Sequence, residues 1–197
     1  MSRTAKLREQ IEALGLEDPS IVERIVGQAD HFLSASQSFV EQGQQVEMCF
    51  FLIPREGDIS MFMPSVSMIG LPKMNVQQEK DVVASAVRQL ASESKAIAVI
   101  HIAEAWGLSL QREDITQDDI DFVQRNGVAA HPKAVEMVHC QVSLNCRGQG
   151  NEFVAAYQIE GEKDNRTMTE HTPWTRTRAQ GQGGRFNIEA HYLEPLT

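Results

Sequence analysis

The sequence predicts an α+β protein: a single, mostly antiparallel sheet with a crossover helix, and N-terminal helices packed on one face. Three observations carry that prediction. The run Ala96 to Trp106 is apolar except for His101 and Glu104. The first forty residues hold two stretches with apolar positions at helical spacing. Period-two alternation recurs around residues 46–64, 134–146 and 153–159. No internal repeat or linker divides the chain, so residues 1–197 read as one domain. Within it, 1–42 is a helical N-terminal segment and 46–194 an α+β core.

At the N-terminus, Leu7, Ile11 and Leu14 are spaced for a helix, and Gly15 offers a stop. Asp18-Pro19 then reads as an N-cap with proline at the first helical position. Ile21, Val22, Ile25, Val26, Ala29, Phe32 and Leu33 continue as one stripe to about Val40. Such helices pack on a sheet or form an arm exchanged with a partner subunit.

From Gln45 to Pro64 the period changes to two, with a turn at Arg55-Glu56-Gly57-Asp58, which predicts a β-hairpin. Pro64 lacks an N–H, so the second strand lies at an edge or ends there. Five of the eight methionines fall between Met48 and Met74. Methionine usually fills cores. A hairpin apolar on both faces also fits self-association through residues 46–64.

Asn75 to Ser92 reads as the crossover helix, with Val83, Val87 and Leu90 on one face. In the next run, Ile97, Val99, Ile100 and Ile102 favour extended backbone, because branched β-carbons pack well on a pleated surface. Apolar on both faces, it predicts a central strand covered on each side. After Trp106 the chain turns acidic. It lacks the alternating carboxylates, glycine and distal glutamate of a calcium loop. Thr116 with Asp119 three residues on predicts a capped helix ending at Asn126-Gly127. Two strands follow, joined through residues 147–151, then a polar stretch 161–184 that reads as loop with a possible short strand at Thr172 to Arg178. A last strand spans Arg185 to Leu193.

Ala103-Glu104-Ala105-Trp106 and the segment from His131-Pro132 through Glu136 to Val138 together resemble a family of uncharacterised bacterial and phage-associated proteins. There, an apolar strand ending in Glu-Ala-Trp is followed by a His-Pro motif and a strand opening with a Glu. The likeness covers about residues 75–160. The chain departs from it in its long helical N-terminal region and the acidic helix after Trp106. The resemblance implies a fold and no activity.

A net charge of −9 argues against nucleic-acid binding through the overall field. Three cysteines suit a reduced compartment better than a disulfide framework. The charged start and the lack of a long apolar run argue against a leader and a membrane span, so the chain reads as soluble and cytoplasmic. There is no P-loop, G-x-G-x-x-G, H-E-x-x-H, G-x-S-x-G or C-x-x-C, and no cofactor or metal is expected. Cys140 and Cys146 share a strand face and read as buried, inert thiols.

Two constellations remain. Arg166, Arg176, Arg178 and Arg185 less Glu170 give residues 165–185 a formal charge of +3. There Arg176 and Arg178, with Trp174 as a stacking face, could clasp a small anionic ligand. Separately, His101-x-x-Glu104 is mirrored by Glu136-x-x-His139. Antiparallel pairing with position sums of 240 would oppose His101 to His139 and Glu104 to Glu136. The first expectation for function is a non-catalytic binding module acting as a homo-oligomer. Its competitors are a hydrolase-type His/Glu site, with or without a metal, and an anion or nucleic-acid contact through the arginine patch of residues 165–185.

Overall fold

The computed structural model describes residues 3–64, 76–110, 114–162, 165–177 and 193–197, with residues 76–80 described by backbone alone. The helices are α1 (Ala5–Glu12), α2 (Pro19–Glu41), α3 (Val76–Glu93) and α4 (Gln117–Asn126). The strands are β1 (Cys49–Pro54), β2 (Ser60–Phe62), β3 (Ala96–Leu108), β4 (Ala134–Cys146), β5 (Gln149–Glu160) and β6 (Thr167–Thr177). They form one six-stranded sheet in the order β2-β1-β3-β4-β5-β6, antiparallel at every step. Since β2 and β3 both run against β1, they are parallel to each other, and α3 is the crossover between them.

The predicted local signals hold. Asp18 caps α2 by accepting a hydrogen bond from the Ser20 N–H, with Pro19 in the first turn. Thr116 and Asp119 form a reciprocal capping box on α4. The β4–β5 turn is tighter than the stretch 147–151 suggested. Only Arg147 (φ 52°) and Gly148 (φ 78°) lie between the paired Cys146 and Gln149. Two consecutive residues at positive φ match the twist of the strands they join.

Face alternation divides the core. Leu7, Ile11 and the α2 stripe pack with Ile100, Ile102, Val138, Cys140, Val142 and Leu144. The β1 and β3 residues that alternate with these, Phe50, Leu52 and Val99, form a smaller cluster with Val83, Val87 and Ala91 of α3 on the reverse face. Backbone hydrogen bonds tie the C-terminal segment to the sheet and its β4–β5 turn: Glu194 N–H donates to Ala96 O at 2.9 Å, Leu196 N–H to Asn145 O at 2.8 Å and Arg147 N–H to Leu196 O at 2.9 Å. Among the described residues no helix is long and apolar enough to cross a membrane.

The stretch 161–184 is not all loop. Thr167–Thr177 forms the edge strand β6, paired along β5 with irregular register near Ala156. Pro173 falls there, where an edge strand tolerates a missing N–H. The expected strand from Arg185 lies, but for Leu193, outside the described residues, as do Arg178 and Asn75.

Candidate functional site

The β1–β2 hairpin lies alongside α2, which it meets through Phe32 and Arg24. At its turn end Arg24 donates from Nε to Pro54 O at 2.9 Å, and its Nη2 reaches Gly57 O. Where hairpin and helix diverge, a groove of about 400 Å³ opens, lined by Phe32, Phe39, Cys49, Phe51, Met61 and Met63 among others. Phe32 and Phe51 stack there with centroids 3.6 Å apart. Phe39 and Met61 are 48% and 60% exposed, an unusual state for large apolar side chains beside an apolar groove.

Strands β3 and β4 pair with position sums of 242, as in Ala98↔Leu144 and Leu108↔Ala134, not 240. His101 therefore lies opposite Gln141, His139 opposite Ala103, Glu104 opposite Val138 and Glu136 opposite Trp106. A slip of two residues preserves faces. The two histidines thus share one face as diagonal neighbours, and the two glutamates share the other. The sheet separates imidazoles from carboxylates, so these four side chains do not form one acid–base site.

Each pair has its own surroundings. Arg166 Nη2 lies 2.6 Å from Glu136 Oε2 and 3.5 Å from Glu104 Oε1. Glu104 Oε2 also accepts from Val46 N–H at 3.0 Å. Both carboxylates are thus charge-paired inside a structural clasp. On the reverse face His101 stacks on Phe50 with centroids 4.5 Å apart. Burial, with a smaller contribution from nearby His139, pushes its pKa down to about 4, so at neutral pH it is an uncharged imidazole. Beside it lie Gln141, Ser143 and Glu152, all buried, with Gln141 Nε2 donating to Ser143 Oγ at 3.2 Å. Sequence reasoning missed this polar row. Its signal was the polar Gln141, Ser143 and Asn145 alternating with Val142 and Leu144.

Among the described residues the arginine patch lacks its expected stacking face. Trp174 is fully buried in the core, so its ring offers no stacking face. Its Cβ points to the face that α1 and α2 cover, where Gln10 Nε2 also donates to the Trp174 carbonyl at 2.9 Å. Arg166 is held by the glutamates, and Arg176 is exposed but reaches Asn151 Oδ1. Arg178 and Arg185 lie outside the described residues.

His131 is likewise structural in its contacts. Its Nδ1 accepts from Lys133 N–H at 3.1 Å, which leaves Nε2 to donate to Asp119 Oδ1 at 3.1 Å. Cys140 and Cys146 are buried free thiols, and burial raises the Cys140 pKa. Among the described residues no three His, Cys, Asp or Glu side chains come together as a metal site. No family model matches the chain, and no curated protein or solved structure matches it.

Proposed function

We propose that this protein is a non-catalytic binding module that associates with a second copy of itself through the hairpin of residues 46–64 and the adjoining face of α2. The observation that carries this reading is the apolar groove with Phe39 and Met61 exposed at its rim. Projecting side chains beside a recess on one surface suit a self-complementary two-fold contact. The strand β2 supports it as well, being the outermost strand on its side of the described sheet. Such an edge presents backbone donors and acceptors to another chain. Sedimentation velocity over a concentration series tests the proposal. A species of twice the 22.0 kDa chain mass, growing with concentration, supports it. A 22.0 kDa species at every concentration rejects it.

A further inference from the structure

Sulfur is concentrated in the groove. Cys49, Met61 and Met63 all line it. The β1–β2 register explains why. Phe50 pairs with Phe62 and Phe51 with Met61, and Met63 and Cys49 each follow one residue beyond the Phe50–Phe62 pair at the groove end of the hairpin. One thiol and two thioethers thus line a single groove. The Cys49 thiol is partly buried and forms no disulfide, and Met61 at the rim is open to solvent.

We propose that Cys49, Met61 and Met63 form a binding site for a soft monovalent metal ion, Cu(I). Thiolate and thioether sulfurs select Cu(I), whereas Mg²⁺, Ca²⁺ and Mn²⁺ require oxygen donors that this set lacks. Charge points the same way. A thiolate with Cu(I) is electrically neutral and suits the apolar walls of Phe32, Phe51 and Ile102. A divalent ion on the same ligands would leave a net positive charge there. Binding exchanges one proton for the metal: the Cys49 S–H bond breaks, a sulfur–copper bond forms, and the proton passes to solvent. Copper enters and stays as Cu(I), so no oxidant or reductant is consumed. The site shares the groove proposed for self-association but is complete within one chain, and goes beyond that reading.

The test is an anaerobic titration of the intact protein with Cu(I) against a chromophoric Cu(I) chelator. Parent protein should withhold one equivalent per chain. Cys49→Ser should lose that equivalent although Cys140 and Cys146 remain. Met61→Leu combined with Met63→Leu keeps the apolar volume and should also lose it, with circular dichroism unchanged. Retention of the full equivalent by either variant, or none withheld by the parent, overturns the assignment. A parent that is monomeric at every concentration yet withholds Cu(I) defeats only the association reading. A dimer that withholds none defeats only the metal site.

Discussion

Glu104 and Glu136 stand on neighbouring strands, two register steps out of opposition, and share the single guanidinium of Arg166. The arginine enters from the β5–β6 connection, across the face covered by α1 and α2. Glu104 also bonds Val46 in both directions, through its carboxylate and through its own N–H to Val46 O at 3.1 Å. The start of the hairpin, the two central strands and the last hairpin connection therefore meet at one charge cluster. Val46 lines the groove, so the clasp fixes one wall of the proposed interface.

Arg166→Met should strip both carboxylates of their cation. The Glu104 side chain is only 11% exposed, so losing the partner of a buried charge should cost about 2 kcal/mol in urea unfolding. Glu136, at 39% exposed, is better solvated, and Glu136→Gln should cost below about 1 kcal/mol. Equal effects from the two variants would show that the clasp does not depend on the buried Glu104.

Stability should vary with pH through His101. Its folded pKa of about 4 lies below the ordinary imidazole value of 6.5, so between these values the unfolded chain binds the extra proton. Stability from this group is therefore fully present above pH 6.5 and falls as pH drops toward 4. The total is up to about 3 kcal/mol. Urea midpoints measured from pH 7.5 to 4.5 should fall in the parent and fall less in His101→Gln. Parallel curves would remove His101 as the cause.

Trp174→Ala should destabilise the protein by about 3–5 kcal/mol, the usual cost of deleting a fully buried indole. A solvent-facing stacking residue would cost almost nothing. Collisional quenching gives an independent check with the protein intact. Trp106, 47% exposed, should be quenched freely and Trp174 should be shielded. Two equally quenched tryptophans would contradict the placement of Trp174.

Much of this architecture was legible because local chemistry dictated it. The α2 stripe, the Asp18-Pro19 start, the Thr116 and Asp119 box and the apolar β3 run each act within a few residues. The β3–β4 register was not legible. The connection between them is long enough to permit sums of 240 or 242, and no turn residue chooses between them. Parity survived the slip, which is why the His and Glu groupings persisted while their opposed pairs did not. Trp174 failed for a different reason. Its neighbours Thr172, Thr175, Arg176 and Thr177 look solvated, and only pairing with β5 turns the indole into the core. Arg166 was read as one arginine of an anion site, because its partners Glu104 and Glu136 are distant in sequence.

The hairpin surface is tested most directly by placing charge on it. Met61→Glu combined with Met63→Glu puts two carboxylates in the apolar groove. Light scattering should then give a folded monomer of 22.0 kDa where the parent gives twice that mass. Far-ultraviolet circular dichroism and the melting temperature serve as the check on folding. A double variant that remains a dimer with unchanged melting would contradict the proposed interface.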